Sequence, residues 1–172
     1  IPNPVWKESV KGERWFLGNT YHLAIGQGDI TATPLQINLM TSIIASQGRF
    51  CNPHIFSGDS PDTNSQCRDL NLKKETIDEI EKGMIGACTE GGTGFPFFDF
   101  EPRVACKTGT AETEEEGKTH AWFTVFGPAR SALGSMAGSP EIVATVLLEK
   151  GGEGSYVAAP IARQIFDYYF SR

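Results

Sequence analysis

The chain has 172 residues, 40% of them hydrophobic and 21% charged, which suits one folded domain with its own core. A net charge of -6 argues against nucleic acid as a partner. No apolar run approaches the ~18 residues that span a bilayer, and the opening Ile1-Pro2-Asn3-Pro4 leads us to expect a segment of a longer protein.

Residues 1–30 are rich in glycine and aromatics with weak periodicity, and read as loops and turns. A helix starts at Thr33-Pro34, with Thr33 as N-cap and Pro34 in the first helical position. Leu35, Leu39, Ile43 and Ile44 share one face of it, and Gly48 stops it. A short strand from Cys51 to Phe56 and a polar loop with Gly58, Pro61 and Asn64 follow. The next helix runs from about Lys73 to Ala87, with Ile77, Ile80, Met84 and Ile85 inward and Lys74 within reach of Asp78. Glu90 to Gly94 is a turn; no lysine follows it, so it is no phosphate loop.

The C-terminal half changes character. Arg103–Ala111, Ala121–Phe126 and Ile142–Glu149 read as strands, and their short links suit antiparallel neighbours. Glu112 to Lys118 is a solvated hairpin loop, and Pro128 to Pro140 is a loop of small residues. Ala158 to Phe170 closes the chain as a helix with Ile161, Ile165 and Tyr168 or Tyr169 inward.

Cys51, Cys67, Cys88 and Cys106 match no zinc spacing and no Cys-x-x-Cys. Cys51 and Cys67 are placed to pair across a turn-rich loop in an oxidising compartment, but free buried thiols are the expectation preferred for all four. His22, His54 and His120 share no spacing suited to a metal, so neither metal nor cofactor is expected. His120 begins the strand across from the hairpin and reads as structural.

Lys107-Thr108-Gly109-Thr110 carries the chemistry. Lys-Thr-Gly is one of three motifs of a penicillin-type active site. The other two, Ser-x-x-Lys and Ser-x-Asn, do not occur among the serines of this chain. Alone the triplet is weak: from average residue usage about one chain of this length in twenty-five contains it by accident. Its placement on a strand followed by a hairpin and a closing helix raises its weight. Alternation places Lys107 and Gly109 on one face and Thr108 and Thr110 on the other. A lysine and hydroxyls suit a terminal carboxylate, glycine permits close approach of a ligand, and the Thr110 N–H is placed to serve an oxyanion.

Further blocks carry a family resemblance, in order along nearly the whole chain. They are Trp15 to Tyr21, Ile25-Gly26-Gln27-Gly28-Asp29, Thr33-Pro34-Leu35-Gln36, Gly83-Met84, Glu90 to Gly94, Lys107 to Glu112, His120-Ala121-Trp122-Phe123 and Phe126-Gly127-Pro128. The chain resembles the C-terminal half of the transpeptidase domain of a class B penicillin-binding protein, of the penicillin-binding protein 2 group. The resemblance implies an α+β architecture, part of the penicillin-binding and serine β-lactamase-like fold. The chain would supply a three-stranded antiparallel meander plus helices, completed by a missing N-terminal half. Residues 1–172 would form the C-terminal part of one domain, with 1–94 mostly helices and loops and 95–172 antiparallel strands and closing helix. The family's five-stranded sheet would leave Ile142–Glu149 with an unpaired edge.

The implied activity is a serine D,D-transpeptidase that cross-links acyl-D-Ala-D-Ala stem peptides of peptidoglycan and is acylated by penicillins and other β-lactams. Lys107 and Thr108 would hold the substrate's carboxylate, with Thr110 offering its N–H to the oxyanion hole. The Ile25–Gly28 block would be scaffold. The implied partners are stem peptide, β-lactams, the missing half-domain and the cell-wall synthesis machinery. The implied place is the extracytoplasmic face of the bacterial membrane. A non-catalytic scaffold of the same fold, and a β-lactam sensor or β-lactamase relative, remain alternatives. Cys106 stands where the family usually has glycine.

Overall fold

The structure is a computed structural model that describes residues 1–55, 67–129 and 139–172. Three strands, β3 (Ala105–Glu112), β4 (Thr119–Gly127) and β5 (Ile142–Leu148), form an antiparallel meander in that order. The β3–β4 register runs from Ala105 opposite Phe126 to Glu112 opposite Thr119 without a gap, so no bulge interrupts the motif. β4 continues into β5 through pairs such as Phe123 with Val146. β3 and β5 are the two edges of this sheet among the described residues. The β1 (Arg49–Cys51) and β2 (Cys67–Asp69) strands make a separate two-stranded ribbon.

Each face of the meander packs against helices. On one face Cys106, Phe123, Val125 and Ala144 meet α5 (Ala159–Phe170) and a 3-10 turn at Phe95–Phe97. Phe97 is the hub, stacked on Phe123 at 5.5 Å and edge-on to Phe100 at 5.5 Å and Phe166 at 5.6 Å. Each such pair contributes about 0.5–1.5 kcal/mol beyond its burial. The other face sets Ala105, Phe126 and Val143 against α3 (Pro34–Ala45) and α4 (Lys74–Ala87) through Ala45, Met84, Ile44 and Ile85.

A chain of hydroxyls crosses this second interface. Thr41 Oγ1 donates to Ile37 O (2.9 Å) and lies 2.9 Å from Thr124 Oγ1, which lies 2.8 Å from Thr145 Oγ1. Asn38 Nδ2 donates to Thr145 Oγ1 at 3.3 Å. Because the Thr41 proton goes to Ile37, Thr124 donates to Thr41 and Thr145 to Thr124, so every donor points the same way. A buried hydroxyl must find a partner, and this relay satisfies three at once.

Helix α3 begins as expected: Thr33 Oγ1 accepts from Gln36 N (3.2 Å) and Gln36 Oε1 accepts from Thr33 N (2.8 Å), a reciprocal cap. Its buried positions are Thr41 and Ala45, whereas Leu35 is exposed. Helix α4 matches its expected span, and Lys74 pairs with Asp78. Ile77 and Met84 are buried in it, but Ile80 is exposed.

Several expectations are corrected. Residues 1–30 are not all loop: α1 (Pro4–Lys11) and α2 (Leu17–Ala24) lie there. Asn3 Oδ1 caps α1 by accepting from Trp6 N at 3.0 Å, and Gly12 closes it at φ 69°, a left-handed conformation suited to glycine. Asn19 Oδ1 accepts from Phe16 N at 2.8 Å at the start of α2. The strand expected from Cys51 to Phe56 ends at Cys51; Phe56 and the loop with Gly58, Pro61 and Asn64 lie outside the described residues, as does most of the Pro128–Pro140 loop. Helix α5 turns Ala159, Ala162 and Phe166 inward, not Ile161, Ile165 or Tyr168: the alanines let the helix approach the sheet and Phe166 fills the space beside Phe97. The cysteines are not free thiols. Cys51 is bonded to Cys67, and Cys88 to Cys106.

Candidate active site

β3 carries Lys107 to Thr110 on an edge of the meander, so its outer rim is open to a ligand. The gapless register confirms the alternation. Lys107 and Gly109 stand opposite Thr124 and Trp122, while Thr108 and Thr110 stand opposite Phe123 and Ala121. Lys107 and Thr110 are exposed, and Thr108 and Gly109 are half-buried. The Lys107 ammonium donates to the Thr108 carbonyl at 2.5 Å and forms no ion pair among the described residues. Thr108 Oγ1 donates to Thr93 Oγ1 at 3.0 Å, tying the strand to the Glu90–Gly94 turn.

Two glycines let backbone approach this strand. A Cβ on Gly109 would stand 3.1 Å from Trp122 Cβ. A Cβ on Gly154 would lie 2.8 Å from the Gly109 carbonyl and closer still to that of Trp122, so the π-helical turn Gly154–Ala158 can lie against the strand pair only without a side chain there. Beside the strand, Phe95 and Tyr156 form an exposed aromatic pair with centroids 5.2 Å apart.

One contact ties the motif strand to a segment far away in sequence. Gln27 Nε2 donates to the Thr110 carbonyl at 3.0 Å across 83 positions of sequence. Gly26 and Gly28, at φ 74° and 79°, shape the turn that presents Gln27. The Ile25–Gly28 block therefore braces the motif strand directly. His120 accepts from Lys150 N at 3.1 Å through Nδ1, a structural contact near the hairpin. No cluster of three or more His, Cys, Asp or Glu side chains suited to a metal is present among the described residues.

Residues 3–167 match the family model described as the penicillin binding protein transpeptidase domain. The chain belongs to this family. Among its curated relatives is the peptidoglycan D,D-transpeptidase MrdA of Haemophilus influenzae, 33% identical over all of this chain and 29% of the relative. That of Acinetobacter baumannii is 32% identical over 98% of this chain and 27% of its own length. The chain thus spans under a third of the curated relatives it matches. Among solved structures, Pseudomonas aeruginosa PBP2 in complex with WCK 5153 superposes with a TM-score of 0.82 at 31% identity, covering 98% of this chain and 36% of that one. PBP2 of Helicobacter pylori in complex with MreC gives 0.81 at 30% identity, over 98% and 30%. The chain is of the PBP2/MrdA type, and its α+β arrangement is that of the transpeptidase fold.

Proposed function

We propose that this chain is the C-terminal part, residues 1–172, of one domain of a serine D,D-transpeptidase that cross-links acyl-D-Ala-D-Ala stem peptides of peptidoglycan and is acylated by β-lactams. The observation that carries the reading is the Lys107–Thr110 tetrad on an open sheet edge, in a chain of this family. Lys107 holds the terminal carboxylate of the substrate, and the Thr108 hydroxyl, which donates to Thr93 in the free site, turns to donate to it while Thr93 donates to Thr108 in return. Gly109 lets the peptide lie close to the backbone, and the Thr110 N–H stabilises the oxyanion as the carbonyl becomes tetrahedral. The nucleophilic serine and its lysine base are outside these 172 residues, so the chain alone does not acylate.

The protein works on the extracytoplasmic face of a bacterial membrane. Two disulfides support that placement, since such bonds persist in oxidising compartments. Its partners belong to the cell-wall synthesis machinery, as suggested by relatives solved with MreC and within a peptidoglycan synthase complex.

The test is intact mass spectrometry of the full-length protein with a fluorescent penicillin. One adduct per molecule is expected, and Lys107→Ala should slow its formation by about 10²–10³-fold, the usual cost of one such donor. Stoichiometric acylation of the pure 172-residue chain would contradict the placement of the nucleophile. A full-length protein that takes no label would favour a non-catalytic scaffold.

A further inference from the structure

The residue immediately before the substrate lysine is a half-cystine. Cys106 is fully buried, and its partner Cys88 is the C-cap residue of α4 and 4% exposed. The bond joins the first turn after a helix to the start of the motif strand across 18 positions of sequence. The segment between Cys88 and Thr93 turns tightly, with Gly92 N bonded to Thr89 O at 2.8 Å and Gly94 N to Ala87 O at 2.7 Å. Gly94 lies directly on the disulfide: a Cβ there would stand 2.5 Å from Cys106 Sγ and 3.0 Å from Cys88 Sγ. The same turn then reaches the strand a second time, where Thr93 accepts the Thr108 hydroxyl. Lys107 therefore sits between two fastenings, one covalent at position 106 and one hydrogen-bonded at 108.

We propose that the Cys88–Cys106 disulfide is a positioning device for Lys107 and Thr108, and that carboxylate recognition by this site depends on its being oxidised. The proposal rests on the penicillin-binding reading of the site. Among the described residues β3 is a sheet edge, paired on one side only, so no strand on its outer rim holds its register. Reduction by a dithiol delivers two electrons and two protons. The S–S bond breaks, Cys88 and Cys106 become thiols, and the dithiol closes to its own cyclic disulfide. Two sulfurs no longer bonded must then separate to van der Waals distance, about 3.5–4 Å. Both are buried and Gly94 is packed against them, so the added volume displaces the Cys88–Gly94 turn or the start of β3. Either movement shifts the Thr93–Thr108 contact and the lysine beside it. Among the described residues Cys51–Cys67 lies on the separate ribbon, not on the motif strand.

The experiment uses the full-length protein. Acylation rate constants are measured for a carboxylate-bearing penicillin and for its methyl ester, before and after reduction with dithiothreitol and its removal under inert gas. Alkylation and peptide mass mapping verify the thiols at 88 and 106. The expected result is a fall of about tenfold or more for the carboxylate probe, since small misplacements at a reacting site are costly, and less than about threefold for the ester, which has no carboxylate for Lys107 to hold. Cys51→Ser/Cys67→Ser should remain sensitive to reduction. Cys88→Ala/Cys106→Ala should start slow and be insensitive; if it does not fold, reduction of the other two proteins decides the matter. An unchanged rate in the verified dithiol, or an equal loss for both probes, would overturn the proposal, because general weakening of the fold does not discriminate between them. Absence of a Cys88–Cys106 bond in the native protein would overturn it as well. Failure of the oxidised protein to react with either probe sinks the penicillin-binding reading itself, and the positioning role with it.

Discussion

Residues 95–172 and residues 1–30 both hold helices and aromatic side chains, yet they use them differently. In the first region Phe97, Phe123 and Phe166 are almost wholly buried, and Phe97 on its turn touches both the strand's Phe123 and the helix's Phe166. In the second, Phe16 and Leu17 are each 65% exposed, and Val5, Tyr21 and Ile25 are exposed too. The two short helices there persist through local devices: the Asn3 cap, the Gly12 stop and the Asn19 side chain. Among the described residues these helices rest on local capping more than on burial, with Lys7 the buried side chain of α1, whereas the meander is inseparable from its core. The Gln27–Thr110 bond joins this region to the motif strand itself.

The most direct way to break the comparison is a matched truncation in each region. Phe97→Ala should destabilise the 172-residue chain by about 3–5 kcal/mol, while Phe16→Ala should change it by about 0.5 kcal/mol or less. Denaturant unfolding measures both, and similar losses would show that the N-terminal helices share the core after all.

The attachment of α3 to the sheet gives a smaller effect. Thr41→Val keeps the shape and removes the last member of the hydroxyl relay. Thr124 then has the Ala144 carbonyl, 3.3 Å away, as an alternative acceptor. The expected cost is therefore about 1 kcal/mol, at the low end for a buried group losing its partner. A loss above about 3 kcal/mol would mean that Thr124 cannot turn to Ala144.

These differences also mark what could be read from the sequence. The three strands were legible to within two residues at each end because β-branched and aromatic residues cluster there. Helix α3 was legible from its Thr33–Gln36 cap and α4 from apolar positions such as Ile77 and Met84. Helix α1 had its signals, Asn3 before it, Pro4 at its first position and Gly12 after it, but it is short and its valines, Val5 and Val10, are exposed. The inward face of α5 was not legible from side-chain size, since contact with the sheet is made through Ala159 and Ala162 as well as Phe166. At the site, Lys107, Thr108, Gly109 and Thr110 were legible from the motif and from strand alternation. Gln27 and the Cys88–Cys106 bond were not, because each is a contact between distant segments with no local pattern.

Cutting the Gln27 brace should have a modest effect on stability and a specific one on the motif. Gln27→Ala removes one half-exposed hydrogen bond, worth about 1 kcal/mol at most. Amide hydrogen exchange should rise around Thr110 more than around Val146 on the far edge. Equal change at both edges would show that the contact does not brace the motif strand.

The smallest effect lies on the surface of the buried region, where Arg163 links α5 to the Phe95–Phe97 turn. Its guanidinium donates to Asp99 Oδ1 at 2.7 Å and Asp167 Oδ1 at 2.9 Å. Partial burial works against the Arg163 charge, but these hydrogen bonds outweigh it and raise its pKa above the ordinary value. The hydrogen bond from Arg163 holds the Asp99 carboxyl below the usual carboxylate range, with backbone hydrogen bonding adding to the effect. A carboxyl depressed in the folded state stabilises the protein above its unfolded pKa, about 3.9, and loses that contribution as pH falls through the folded value. Wild type should therefore melt slightly above Asp99→Asn at pH 6, and the gap should close as the pH drops below about 4. Because Asp99 is exposed, added salt should narrow the gap at pH 6 as well. A gap that is constant with pH, or that widens on acidification, would show that Asp99 acts through packing and not through its charge.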